Sequence, residues 1–164
     1  MTTEVIRPAT LADLTAIHAL AERLADFELP PGRTAREIAR ADHPILVAQL
    51  RQPREDVLFL YAEDDAGTPL GTVFANTQRD YFTQVPIAYI EVLAVSEAAA
   101  GRGLARRLMD RVERWASTRG SVRVDLNVFC ANRRARGFYE HLGFRPETVR
   151  YVKEVGPAKE GVTG

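Results

Sequence analysis

Apolar positions follow two spacings along the chain, and their order predicts a mixture of strands and helices. Short apolar or alternating runs typical of strands occupy residues 4–7, 57–62, 70–75, 87–95, 122–128 and 148–155. Apolar residues at helical spacing follow the capping residues Thr10, Thr34, Asp42 and Asn132 and the glycine turn at Gly101. Early helices, three strands, then helix, strand, helix and strand predict an α+β fold. Its sheet is mixed, antiparallel at first and parallel around the helix after Gly101.

Composition narrows the class of protein. The 164 residues contain no repeat or linker, which predicts a single domain over residues 1–155 and a tail over 156–164. Apolar residues make up 46% and charged residues 27%, as in folded globular proteins. Acidic and basic residues number 22 each, so no bulk charge draws the chain to nucleic acid or to a membrane.

The single cysteine, Cys130, excludes an internal disulfide. No secretion signal or membrane-spanning apolar run is seen, so we expect a cytoplasmic protein. His18 and His43 have no companion ligands in the sequence, and we expect no metal site. Cys130 with His141 forms an open alternative, a thiol nucleophile with an imidazole base.

The glycine turn Gly101-Arg102-Gly103 stands between a predicted strand and a predicted helix. The first turn of a helix presents unpaired N–H groups and the positive end of the helix dipole, which together can hold a phosphate. Arg106 stands where a dinucleotide fingerprint needs its third glycine, and no Lys-Ser/Thr pair follows as in a Walker loop. By itself the turn fits either a phosphate cradle or a simple chain reversal.

A second segment follows the 122–128 strand. It has the pattern N-x-x-A-x-x-F-Y-x-x-x-G-F, formed by Asn132, Ala135, Phe138, Tyr139, Gly143 and Phe144. Alone it predicts an amphipathic helix with an end signal, and Tyr139 would be a core aromatic residue. Together, in this order and spacing, the two segments resemble the Gcn5-related N-acetyltransferase (GNAT) family. The resemblance is strongest over residues 57–144.

The resemblance implies a centrally splayed sheet flanked by helices, with acetyl-CoA as donor and a primary amine as acceptor. The amine would attack directly in a ternary complex. Contacts to the donor are implied at Leu93, Ala94, Val95, Ala100, Gly101, Arg102, Gly103, Leu104, Ala105, Arg106, Asn132 and Ala135. Leu93 would also donate its N–H to the oxyanion. Ala98 and Ala100 depart from the family pattern, which usually carries Gln or Arg there, and Arg102, Arg106 and Arg107 are nearby cations.

Two residues are candidates for proton transfer. An alkylammonium has a pKa of about 10 and must lose a proton before it attacks, and Glu91 is the expected base. Tyr139 is the expected acid for the departing thiolate. The structural alternatives are a Glu91 carboxylate that is ion-paired or simply lies on the open face of the sheet, and a Tyr139 that only packs in the core.

The acceptor site is expected around residues 27–33, residues 79–85 and the chain after Phe144. Asp26, Glu28 and Asp80 would attract a cationic amine, whereas Tyr81 and Phe82 would wall a pocket or join a homodimer contact. Polyamines, amino acids, aminoglycosides and protein amino groups all stay open. The rival hypotheses are a non-catalytic acyl-CoA-binding or regulatory module of the same fold and a nucleotide-binding module.

Overall fold

The computed structural model describes residues 3–156. The chain divides into two compact units, Met1–Asn132 and Arg133–Gly164. No helix among the described residues is long and apolar enough to cross a membrane, the longest having 15 residues.

Over residues 3–132, the first unit has five strands and four α-helices. The strands are β1 (Glu4–Pro8), β2 (Val57–Asp64), β3 (Pro69–Arg79), β4 (Pro86–Val95) and β5 (Val124–Leu126). The helices are α1 (Leu14–Glu22), α2 (Ala35–Arg40), α3 (His43–Arg51) and α4 (Leu104–Thr118). Single turns of 3-10 helix lie at both ends of α1 and before the glycine turn.

The five strands form one sheet in the order β1-β2-β3-β4-β5. The first three pairings are antiparallel, and β4 with β5 is parallel, as the sequence predicts. The contact between β4 and β5 is short, since only Ala88–Ile90 pair with Val124–Leu126. The predicted strand over 122–128 is thus reduced to three residues, and the later half of β4 has no strand on that side within the described chain.

Two capping boxes predicted or suggested by the sequence are present at helix starts. The Thr10 N–H donates to Asp13 Oδ2 over 2.8 Å. The Thr34 N–H donates to Glu37 Oε2 over 2.8 Å, and the Glu37 N–H donates back to Thr34 Oγ1 over 3.2 Å. These bonds satisfy N–H groups that a helix start leaves unpaired.

Helices cover both faces of the sheet. On one face, a core cluster joins α1 and α3 to the strands through Ile17, Leu20, Leu46, Phe59, Tyr61, Phe74, Val92 and Ala94. On the other face lies α4, whose Leu104, Leu108, Met109 and Val112 are fully buried. A Cβ at Gly71 of β3 would stand 3.0 Å from Leu104 Cδ2, so this glycine allows the start of α4 to approach the sheet.

Within its described residues, 133–156, the second unit has one helix, α5 (Arg133–His141). Its end is the predicted glycine cap. Gly143 has a φ of 92°, and the Gly143 N–H donates to Glu140 O over 3.0 Å. The Phe144 N–H donates to Tyr139 O over 3.0 Å, which completes a Schellman motif.

The predicted strand over 148–155 is wrong, because residues 144–156 form no regular secondary structure. The side chains of Val149 and Tyr151 are 61% and 91% exposed. A strand requires a hydrogen-bonded neighbour, and the second unit contains no other strand among its described residues. The predicted tail, apart from Gly156, lies outside the described residues.

Candidate active site

A β-bulge in β4 is centred on Glu91. Phe74 of β3 pairs with Val92, and the next residue, Ala75, pairs with Ile90, so Glu91 is the additional residue. Bulges change the direction in which the following residues present their backbone and side chains. The expected site residue therefore coincides with the one irregularity of the β3–β4 ladder.

After the bulge, successive residues of β4 direct their backbone N–H and C=O groups alternately toward β3 and away from it. The Ser96 N–H donates to Leu70 O over 2.8 Å, which fixes Val92, Ala94 and Ser96 as the residues that face β3. The N–H and C=O groups of Leu93 and Val95 consequently point away from β3. They lie on the side where pairing with β5 has already ended, as the sequence predicts for a splayed strand.

Arg23 occupies part of this open edge. Its Nε donates to Val95 O over 2.9 Å, and its guanidinium lies 4.0 Å from Glu97. The Val95 carbonyl thus already accepts a protein donor, whereas its N–H has no such partner among the described residues. Sequence reasoning missed Arg23, because an arginine at the end of an amphipathic helix carries no distinguishing signal.

The Glu91 carboxylate is partly buried and hydrogen-bonded. Asn76 Nδ2 and Gln78 Nε2 each donate to Glu91 Oε1 over 3.1 Å. Neither amide was singled out by the sequence. Glu91 has no arginine or lysine partner in the described part of the chain, so the ion-pair alternative finds no support.

Further acidic groups lie near Glu91. Burial, and then the charge of Glu91, raise the pKa of Asp42. Burial raises the pKa of Tyr89, with smaller contributions from Glu91, Asp42 and Asp125. Asp42 was expected to cap α3, but its side chain makes no capping hydrogen bond. The face of the sheet around Glu91 therefore carries negative charge.

The glycine turn has the geometry expected of an anion cradle. Gly101 and Gly103 have φ values of 74° and 79°, a left-handed conformation that favours glycine. Among residues 3–156, no acceptor contacts the N–H groups of Gly101, Gly103, Leu104 and Ala105. The Arg102 N–H differs from the prediction, because it already donates to Ala99 O over 3.2 Å. The Ala100 N–H likewise donates to Glu97 O over 3.1 Å.

The arginines near the turn have different surroundings. Arg107 Nε donates to Glu4 Oε1 over 3.0 Å, and Arg107 Nη1 donates to Arg102 O over 3.1 Å. Arg102 and Arg106 are exposed and have no carboxylate partner within the described residues. Arg102 and Arg106, rather than Arg107, are therefore the cations available at the turn.

Tyr139 lies in the second unit, among aromatic side chains. Its ring contacts Phe138 and Phe144, with centroid distances of 5.2 and 5.6 Å. Burial raises the pKa of Tyr139 to about 12. The phenol is thus fully protonated at neutral pH. Ala135 lies on the same helix, and Asn132 closes the first unit, its N–H donating to Phe129 O over 2.9 Å.

The loop between β3 and β4 differs from the expected acceptor site. Asp80 accepts from the Thr83 hydroxyl over 2.6 Å, from the Thr83 N–H over 2.7 Å and from Arg123, and these bonds lower the pKa of Asp80 to about 2. The Asp80 carboxylate is therefore hydrogen-bonded within its own loop and paired with Arg123, which disagrees with its expected role of attracting an amine. Tyr81 and Phe82 are 84% and 81% exposed and form no wall of a pocket within the first unit.

The remaining candidates are the two early histidines and the cysteine. His18 and His43 contact each other, with His43 Nδ1 2.8 Å from His18 Nε2, a pairing that the sequence did not predict. Among residues 3–156, no group of three or more His, Cys, Asp or Glu side chains is placed to hold a metal ion. Cys130 is exposed, and the thiol alternative remains untested.

The chain matches the Acetyltransferase (GNAT) family over residues 17–144 and belongs to it. It is also 50% identical, over 93 residues, to a mycothiol acetyltransferase of Beutenbergia cavernae. That alignment covers 57% of this chain and 30% of the relative, so the chain spans about a third of the length of the curated relative it matches.

Solved structures share the fold. A putative acetyl transferase from Pyrococcus furiosus superimposes with a TM-score of 0.74 at 23% identity, covering 93% of this chain and all of that one. AAC(6')-Iy, in complex with a bisubstrate analog, gives a TM-score of 0.68 at 22% identity, covering 94% and 99%.

These comparisons confirm the predicted family and the predicted fold class, a mixed sheet flanked by helices. The family is described as one of acetyltransferases, and AAC(6')-Iy was also solved in complex with CoA.

Proposed function

We propose that this chain is an N-acetyltransferase that moves the acetyl group of acetyl-CoA to a cationic primary amine by direct attack in a ternary complex. The observation that carries the proposal is the Glu91 carboxylate, held by two amides at a bulge. This bulge immediately precedes the open backbone edge of Leu93 and Val95. The proposed base, Glu91, is thus two residues from the first of the backbone N–H groups, those of Leu93 and Val95, that point away from β3.

The first unit has groups that fit acetyl-CoA. The N–H groups of Gly101, Gly103, Leu104 and Ala105 are suited to a pyrophosphate at the helix start, with the exposed Arg102 and Arg106 guanidinium groups beside them. The open edge at Leu93 and Val95 is suited to an extended arm that pairs like an added strand. Ala94, Ala100 and Asn132 are further proposed contacts in this unit, and Ala135 is a proposed contact in the second unit. Bound acetyl-CoA supplies a thioester, whose carbonyl oxygen would accept the Leu93 N–H.

Glu91 is the proposed base. An alkylammonium has a pKa of about 10, so at neutral pH one proton must be removed before nitrogen can form the new bond. Glu91 Oε1 is already occupied by two amide donors, whereas no donor contacts Oε2 within the described residues. Oε2 would therefore accept the proton, directly or through one water molecule. The negative charge of Asp42 favours the arrival of a cationic amine.

Tyr139 is the proposed donor to the leaving sulfur. With a pKa of about 12, its phenol is a weaker acid than a thiol of pKa about 8.5. Complete proton transfer to sulfur is therefore uphill. We accordingly assign Tyr139 to hydrogen-bond donation, which stabilises negative charge as the carbon–sulfur bond breaks.

The names of the relatives suggest acceptors to test. The Beutenbergia protein is named as a mycothiol acetyltransferase, and AAC(6')-Iy was solved with an acetylneamine conjugate. We therefore propose a small cationic amine, either an aminoglycoside-like polyamine or a thiol-bearing amine, ahead of a peptide amino group. We also propose a cytoplasmic homodimer, for which the exposed Tyr81 and Phe82 offer a contact surface.

The experiment is a mass-spectrometric screen for acetylated product. The purified protein is incubated with acetyl-CoA and a panel of polyamines, amino acids, aminoglycosides, thiol-bearing amines and peptides. We expect an acetylated amine together with an equal amount of free CoA. If acetyl-CoA binds but no panel member is acetylated, the non-catalytic acyl-CoA-binding alternative is favoured and the proposal fails.

A further inference from the structure

Two amide side chains, those of Asn76 and Gln78, lie at successive positions on one face of β3. Alternate residues of a strand share one face, so Asn76 and Gln78 continue the row that contains Phe74 of the core cluster. Both amides are only partly exposed. Burying a primary amide costs free energy unless its donors and acceptors are satisfied. Packing alone would thus favour apolar residues at both positions.

The hydrogen bonds of the two amides converge on Glu91. Asn76 Nδ2 and Gln78 Nε2 both donate to Glu91 Oε1 over 3.1 Å. Gln78 Nε2 also donates to Asn76 Oδ1 over 2.9 Å. Because an ionised carboxylate only accepts hydrogen bonds, both amides must turn their nitrogen atoms toward it. The Asn76 oxygen is then left to accept from Gln78, so the network has one orientation.

We infer that Asn76 and Gln78 are positioning residues that fix the ionised Glu91 carboxylate with Oε2 directed away from them, ready to accept a proton. The inference rests on the proposed role of Glu91 as base. Two donors on one oxygen restrict rotation of the carboxylate, and they stabilise its charged form. The bulge then determines the direction in which the Glu91 side chain projects from β4.

Other acidic groups near Glu91 disfavour a negative charge on its carboxylate. Asp42, before α3, interacts unfavourably with ionised Glu91, and Asp125 of β5 adds negative charge near Tyr89. Asp125 is itself paired with Arg123 over 2.7 Å. Against these acidic neighbours, Asn76 and Gln78 are the side-chain hydrogen-bond donors to the Glu91 carboxylate among the described residues.

The test measures the Glu91 carboxyl directly, without an acceptor. The pH titration of its side-chain carbon is followed by ¹³C NMR, and the signal is assigned by its loss in Glu91→Gln. Gln78→Met and Asn76→Leu keep the side-chain volume and remove the donors. Each variant removes a donor to the charged carboxylate, so we expect the titration midpoint of Glu91 to lie above that of the wild type in both variants.

Thr77→Val is the matched control. Thr77 lies between the two amides, on the opposite face of β3, and its buried hydroxyl has no hydrogen-bond partner. We expect the titration midpoint of Glu91 in Thr77→Val to equal that in the wild type. Midpoints within about 0.2 pH unit of the wild type in both amide variants would overturn the inference. So would failure of both variants to fold while Thr77→Val folds, because the amides would then be required for packing.

Turnover separates this inference from the proposed function. With spermidine and kanamycin as acceptor probes, Gln78→Met should lower kcat/KM about tenfold and move the acidic limb of its pH profile upward. In the Glu91→Gln background the same change should have no added effect, because it acts through Glu91. Effects that multiply would contradict the positioning role. Full activity of Glu91→Gln would instead contradict the proposed base.

Discussion

At the scale of single residues, the proposed chemistry depends on one group that accepts a proton, Glu91, and one that donates a hydrogen bond, Tyr139. Glu91 has one oxygen saturated by amides and one without a donor among the described residues. Tyr139 keeps its proton well above neutral pH, because burial raises its pKa to about 12. The two residues lie in different compact units of the chain, so each is best tested through its own variant.

Removal of the Tyr139 hydroxyl tests the assignment of the donor. We expect Tyr139→Phe to lower kcat about 100-fold with little change in the KM for acetyl-CoA, since the lost hydrogen bond matters as charge develops. The measurement is steady-state kinetics with the best acceptor from the screen. Tyr151→Phe, at a side chain that is 91% exposed, is the control. Undiminished kcat in Tyr139→Phe would remove the donor role.

The sequence nominated Glu91 and Tyr139 but not the residues that surround them. Tyr139 belongs to a motif with fixed spacing, and Glu91 precedes the glycine turn in a recognisable strand. Asn76 and Gln78 reach Glu91 only through the register of β3 against β4, a property of pairing that a single sequence does not encode locally. Asp42 stands at the N-cap position of α3, as predicted, but its side chain makes no capping hydrogen bond.

At the scale of elements, the bulge in β4 and the glycine turn define the site. The turn was predicted because left-handed positions require glycine, which leaves a local signal in the sequence. The bulge was not, because an additional residue becomes visible only against its partner strand. The strand expected over 148–155 shows the limit of periodicity, since alternation without a hydrogen-bonded neighbour does not make a strand.

Substitution of Gly101 tests the anion cradle. Gly101 and Gly120 have φ values of 74° and 72°, and neither has an atom within 4 Å of an added Cβ. Alanine at either position should therefore cost a similar free energy of unfolding, about 1–2 kcal/mol. We expect only Gly101→Ala to weaken acetyl-CoA binding, about tenfold or more, in calorimetric titrations. Equal acetyl-CoA affinities in the two variants would contradict the cradle.

The β3–β4 loop provides a test of pH-dependent stability. Its Asp80 has a folded-state pKa of about 2, lowered mainly by hydrogen bonds from Thr83 and also by Arg123. Such a group stabilises the fold above its unfolded pKa, near 4, and the contribution is lost as pH falls through 2. Asp80→Asn should therefore lower the Tm at pH 6, and the difference from the wild type should disappear near pH 2.

Thermal melts between pH 2 and pH 6 measure this difference. Asp65→Asn, at an exposed residue of the β2–β3 turn, is the control and should follow the wild type throughout. A constant difference between Asp80→Asn and the wild type across the whole range would show that the Asp80 charge is not the cause.

At the scale of the whole molecule, the fold class follows from the order of elements, and family membership agrees with it. Connections between neighbouring strands carry local signals, which is why the antiparallel order was predictable. The sequence has no comparable local signal for quaternary structure.

We predict a homodimer in which the exposed Tyr81 and Phe82 lie in the contact. Light scattering should therefore give twice the chain mass, and the double variant Tyr81→Ser with Phe82→Ser should give the monomer mass. A monomeric wild type would refute this prediction.

The central claim is that Glu91 removes the proton that prevents a cationic amine from attacking. The measurement is kcat/KM from pH 6 to pH 9 for the wild type and Glu91→Gln, with the same acceptor. We predict a loss of about 100-fold or more near pH 7, which narrows as the pH approaches the pKa of the amine, with unchanged acetyl-CoA affinity. Activity of Glu91→Gln within about twofold of the wild type at every pH would contradict the claim.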